Sequence, residues 1–133
     1  MGEADLDLVA EMYRAFHAGD ADLALSYFAE DVAVDATARV DGGIGRGRDA
    51  LAAIIGQWLS MFDEWHEDIE QMKGAEGRVC VIARQRGRGR DSGVEAETRY
   101  GVLYEIRGDV IARMTLYREP AEALEAAGLR DRG

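Results

Sequence analysis

The chain has few of the residues that build the commoner catalytic centres. Its two histidines, His17 and His66, stand far apart, and no metal-ligand spacing, glycine-rich phosphate loop or nucleophile elbow is present. One cysteine, Cys80, excludes an internal disulfide and suits a reducing cytoplasm; its apolar neighbours mark it as an inert buried or interface thiol. Positive charge is scarce: 16 Lys and Arg against 26 Asp and Glu leave a net charge of −10. That balance argues against nucleic acid, whose phosphates need a basic surface, and against anionic membranes. No apolar run approaches the roughly 20 residues of a membrane span. The first residues, Met1 to Asp5, are acidic and lack the basic-then-apolar order of a signal peptide. A cytoplasmic protein without cofactor or metal is expected.

What is present suits one domain over residues 1–133. At 47% apolar content such a chain buries roughly two thirds of its surface. Its centre is the stretch from Val79 to Ile106, a two-stranded ribbon folded at Arg90-Asp91-Ser92-Gly93. The simplest register sets Arg88 opposite Glu95, Arg86 opposite Glu97, Gln85 opposite Thr98, Ala83 opposite Tyr100 and Val81 opposite Val102. One face is then charged, and the other is apolar with a few hydroxyls, suited to floor a pocket.

Before the ribbon, Leu6, Val9, Tyr13 and Phe16 recur at helical spacing. Gly19 ends that helix and Asp20 caps a short second one carrying Leu23, Leu25, Tyr27 and Phe28. Val32 to Ala36 reads as a strand, and Arg39 to Gly47 as a glycine-rich loop. Arg48-Asp49 opens a third helix whose Leu51, Ile54, Ile55, Trp58, Leu59 and Phe62 predict deep burial. Trp65 to Met72 alternates as a strand, Val110 to Tyr117 forms the last strand, and Pro120 opens a final helix ending at Gly128. The arrangement is α+β: a curved antiparallel sheet wrapped around N-terminal helices, enclosing a cone.

Several stretches resemble the SnoaL-like branch of the NTF2-like superfamily: Tyr13 to Asp20, Phe28 to Val32, Gly47 to Leu51, and the Arg86-Gly87-Arg88-Gly89 ribbon tip. The resemblance implies a cone-shaped α+β barrel of cystatin-like kind, joined as a homodimer through the sheet. Its members include polyketide cyclases, ketosteroid isomerases, dehydratases, epoxide hydrolases and binding modules. Their known catalytic sets do not carry over. Where ketosteroid isomerases place a tyrosine this chain has Met12, with Tyr13 one step round the helix. Their general-base aspartate falls on Ala36, beside Asp35, and their second aspartate near Val102. The His and Asp of the polyketide cyclases fall on Met114 and Leu116.

Other residues remain as candidates. If the Trp65–Met72 strand pairs Met72 with Val79 and His66 with Gln85, then His66 and Asp68 enter the pocket, a histidine and a carboxylate for general base chemistry. A one-residue slip instead brings Trp65, Glu67 and Ile69 inward. Tyr13 can donate to a bound carbonyl or oxyanion, or be a satisfied core tyrosine. Asp35 is a buried base or the polar end of its strand. Phe16, Trp58, Gln85, Thr98, Tyr100, Val102, Tyr104, Met114 and Leu116 are expected to line the pocket. On the outer face, Arg84, Arg86 and Arg88 meet glutamates as a solvated ladder. An interleaved apolar strip of Trp65, Ile69, Cys80, Ile82 and Leu103 predicts the homodimer. Three functions stay open: an isomerase, cyclase or dehydratase-type enzyme on a small apolar substrate, a binding protein for such a molecule, or a dimeric assembly module.

Overall fold

A computed structural model describes residues 3–39 and 43–129. Helix α1 (Glu3–His17) runs into α2 (Ala21–Ser26), then β1 (Phe28–Asp35), β2 (Ile44–Arg46) and α3 (Arg48–Leu59). Strands β3 (Phe62–Ala75), β4 (Arg78–Gly89), β5 (Glu95–Arg107) and β6 (Val110–Tyr117) follow, and α4 (Pro120–Ala126) closes the described chain. The strands form one curved, unclosed sheet in the order β2-β1-β6-β5-β4-β3. All neighbours are antiparallel except β1 and β6, which run parallel.

Local chemistry sets the joints. Gly19 takes φ +83°, a left-handed conformation that side chains resist, and Asp20 accepts a hydrogen bond from the Leu23 amide to start α2. Within the loop expected after Arg39, a short strand, β2, pairs with β1. Helix α3 stops at Leu59, so Phe62 begins β3 instead of extending the helix. Only Leu51 of α3 is fully buried, while Ile54, Ile55 and Trp58 are half-buried; the deep burial expected from its apolar side is not reached, because that side borders a cavity.

The β4–β5 hairpin adopts the register expected from its sequence, with Arg88 opposite Glu95, Gln85 opposite Thr98, Ala83 opposite Tyr100 and Val81 opposite Val102. Its inner face feeds the main core with Val79, Val81, Ala83, Val102 and Tyr104, joined by Val9, Val32, Val34, Leu51 and Ile111. Six of these are valines, and the five on strands have branched side chains that pack well on a pleated surface.

Strand β3 departs from expectation. Its pairs are Met72–Val81 near the turn but Ile69–Ala83, Glu67–Gln85 and Trp65–Gly87 beyond a bulge between Ile69 and Gln71. One extra residue reverses which side chains face inward. Met72 and Ile69 both point to the core, and Trp65 and Glu67 follow Ile69. His66 and Asp68 are turned out.

The outer face is also covered differently. Cys80, Ile82 and Leu103 lie beneath α4, whose Ala123, with the C-cap Ala127, is buried against them. A β-carbon on Gly101 would sit 2.4 Å from the Ala123 methyl, so the missing side chain is what lets α4 settle on β5. A capping box of Glu119 and Glu122 fixes the start of α4. Helices therefore occupy both faces of the sheet. The apolar strip expected to join two copies is split: Trp65 and Ile69 face inward, and the rest is covered by the chain itself.

Candidate active site

A cavity of about 240 Å³ opens between the three N-terminal helices and the inner face of the sheet. Helix α1 contributes Met12, Tyr13 and Phe16, and α2 contributes Ala24 and Leu25. Helix α3 adds Ile55, Trp58 and Leu59, and the strands add Phe28, Trp65, Glu67, Tyr100, Val102, Tyr104 and Met114. Arg39, in the segment after β1, completes the wall. The lining is mostly apolar, with its polar groups gathered in three clusters, as in sites for small molecules.

The first cluster is the Tyr13–Tyr104 pair. Their hydroxyls lie 2.6 Å apart, both rings are buried, and the rings meet edge to face at 6.0 Å. Burial pushes the Tyr13 phenol well above its ordinary range, helped by the neighbouring Tyr104 and by Glu67. Burial likewise raises Tyr104, with Tyr13 holding it down in part. Both hydroxyls are thus neutral donors across the physiological range.

Glu67 forms the second cluster. Oε1 lies 2.8 Å from His17 Nε2, and the Tyr100 hydroxyl donates to Oε2. The Glu67 side chain is 4% exposed and that of His17 34%, so the histidine connects a buried carboxyl to solvent.

Arg39 forms the third. Its guanidinium carbon lies 4.0 Å from the Trp58 ring centroid and 5.2 Å from that of Tyr100. Such contacts contribute about 0.5–2 kcal/mol, less than the several kcal/mol that removing a full charge from water costs. Desolvation accordingly lowers the Arg39 pKa to about 10, and Glu67 acts against the shift.

Gln85 is buried behind this lining. Its Oε1 accepts from both indoles, Trp58 Nε1 at 3.1 Å and Trp65 Nε1 at 3.0 Å. Gln85 therefore supports the wall without lining it. Leu116 belongs to the core and Thr98 is exposed, so neither lines the cavity. Phe16, Trp58, Tyr100, Val102, Tyr104 and Met114 do.

Of the candidate catalytic residues, Tyr13 alone reaches the cavity. His66 and Asp68 lie on the outer face of β3, exposed, with Asp68 3.8 Å from Arg86; they border a neighbouring, more open pocket that includes His17 and shares Phe16, Leu59, Trp65 and Glu67 with the cavity. The bulge in β3 is the reason. Asp35 ends β1 and accepts from the Thr37 amide and hydroxyl, which hold its carboxyl below the usual range; it is the polar end of a strand. Glu67 and Trp65 were legible as the slipped register, whereas His17 and Arg39 carried no periodic signal. Among the described residues, no three His, Cys, Asp or Glu side chains converge as metal ligands. None of the described helices is long and apolar enough to cross a membrane.

Solved structures share this architecture. An NTF2-like protein of unknown function from Burkholderia pseudomallei superposes with a TM-score of 0.77 at 20% identity, covering 94% of this chain and 98% of its own. A proposed polyketide cyclase from Xanthomonas campestris pv. campestris gives 0.71 at 24% identity, covering 96% of each chain. A ketosteroid isomerase-like fold from Catenulispora acidiphila, solved with trimethylamine, gives 0.72 at 20% identity and 92% of each chain. No curated protein sequence matches. The fold is that of these NTF2-like proteins, and residues 9–114, from the middle of α1 to β6, match the SnoaL-like domain model: the chain belongs to the SnoaL-like domain family.

Proposed function

We propose that the protein is a cofactor-free enzyme of isomerase, cyclase or dehydratase type, acting on a small and largely apolar molecule by moving one proton. The observation that carries this reading is the Glu67 carboxyl in the wall of a mostly apolar cavity, oriented by His17 and Tyr100. In the reaction Glu67 takes a proton from a carbon beside a carbonyl. The electron pair moves onto the carbonyl oxygen, where the Tyr13–Tyr104 hydroxyls donate to it. Glu67 then returns the proton to carbon, and His17 links the carboxyl to solvent. The test is hydrogen–deuterium exchange into 2-tetralone, a bicyclic enolisable ketone, followed by NMR. Wild type should accelerate exchange, and Glu67→Gln should lose about a hundredfold or more of that acceleration. Equal exchange by the variant would remove Glu67 from the mechanism.

A binding protein is the second reading, favoured because both Glu67 oxygens already have donors, as a satisfied structural carboxyl would. Saturable binding of the ketone by wild type and Glu67→Gln alike, with no exchange in either, would establish it. A homodimer through the outer sheet face is retained in altered form. With Cys80, Ile82 and Leu103 beneath α4, a second copy would meet the charged ladder, and sedimentation should show a salt-sensitive dimer.

A further inference from the structure

We infer that the cavity selects apolar molecules bearing one carboxylate, and that Arg39 is the residue that binds it. This rests on the pocket reading above and adds the chemical class of the ligand.

The polar groups of the cavity are unequally served. Both oxygens of Glu67 have donors, and the Tyr13 and Tyr104 hydroxyls share one hydrogen bond, which leaves one O–H for a ligand oxygen. The Arg39 guanidinium makes no ion pair or hydrogen bond with any described residue; ring contacts with Trp58 and Tyr100 are its partners. Ring faces attract the cation but accept little from its N–H edges, and those edges match a carboxylate in bidentate fashion. A ligand carboxylate would therefore supply what the protein lacks at this point. Its apolar body would lie against Phe28, Leu25, Ile55 and Met114.

Charge balance agrees. Both Glu67 oxygens are held by His17 and Tyr100, and Arg39, which Glu67 reaches only through space, is the cation of the cavity wall with no carboxylate bonded to it. The net charge of −10 opposes anions at long range, but at physiological salt such fields fade over about 8 Å. Contact with Arg39 inside the cavity is not screened in that way.

Isothermal titration with 1-naphthoate and its neutral counterpart 1-naphthamide tests the inference, on wild type, Arg39→Gln and Arg39→Lys, each checked for cooperative thermal unfolding. Wild type should bind the acid at least about tenfold more tightly than the amide. Arg39→Gln should lose that preference while still binding the amide, and Arg39→Lys should keep part of it. Amide and acid binding equally to wild type, or a preference that survives Arg39→Gln, would overturn the role of Arg39 and leave the pocket reading intact. Binding of neither compound at millimolar concentration would overturn both. Should Arg39→Gln fail to fold, Arg39→Lys and the wild-type acid–amide ratio still decide the matter.

Discussion

Glu67 and Asp68 are neighbours in sequence and nearly equal in chemistry, yet they stand on opposite faces of β3. Glu67 is 4% exposed and held by a histidine and a tyrosine, whereas Asp68 is 52% exposed and loosely opposed to Arg86. The carboxyl group is common to both; the environment is not. Strand parity, set by one extra residue near Glu70, decides which of them meets the cavity.

The most severe way to break that contrast is to delete Asp68. With the bulge kept, Ile69 stays opposite Ala83 while His66 moves opposite Gln85 and Glu67 turns outward, and a loss of about 4 kcal/mol or more is expected by urea unfolding. Glu70→Ala keeps the chain length and removes only exposed pairs with Arg84 and Arg99, so it should cost less than about 1 kcal/mol. On the outer face of β5, Gly101→Ala should cost about 3 kcal/mol, because its new methyl meets Ala123 and α4 must lift. A variant as stable as wild type would show that α4 is not seated there.

Within the cavity, Tyr104→Phe leaves the buried Tyr13 hydroxyl without its partner and should cost about 2 kcal/mol, and Tyr13→Phe/Tyr104→Phe should cost less than the sum of the two single changes. The same pair gives an alkaline signature. Folding holds both phenols protonated above their ordinary range, so near pH 10 and beyond the unfolded chain loses protons that the folded one keeps. The stability they contribute is complete below about pH 10 and declines above it, by about 1.4 kcal/mol per pH unit for each phenol. Arg39, lowered to about 10, acts in the opposite sense and offsets part of that loss. Denaturant midpoints from pH 9 to 11 should fall more steeply in wild type than in the double phenylalanine variant. The smallest effect is expected at Asp68→Asn, within about 0.5 kcal/mol and without change in ketone exchange; a larger response would return Asp68 to consideration.

The β4–β5 ribbon was legible because its turn residues and its opposed charges agree on one register. The pocket wall on β5 followed from it, Tyr100, Val102 and Tyr104, while Met114 on β6 came from the family resemblance. The polar centre was less legible. Constant alternation through β3 places His66 and Asp68 inward, and only the change of parity from Trp65 and Ile69 to Met72 marks the bulge. Arg39 leaves a glycine-rich segment with no periodicity to orient it, and its position depends on Trp58 and Tyr100, distant in sequence. The cover over Cys80, Ile82 and Leu103 depends on small alanines in α4, whose apolar signal is weak beside that of larger residues.

The shared acceptor at Gln85 gives the protein a built-in optical reporter. Its two tryptophans are Trp58 on α3 and Trp65 on β3, both in the cavity wall, and both donate to one amide oxygen. The entire indole emission therefore comes from the two sides of the cavity. A ligand that parts α3 from β3 would release at least one indole from its acceptor and change the colour of that emission, with no label attached.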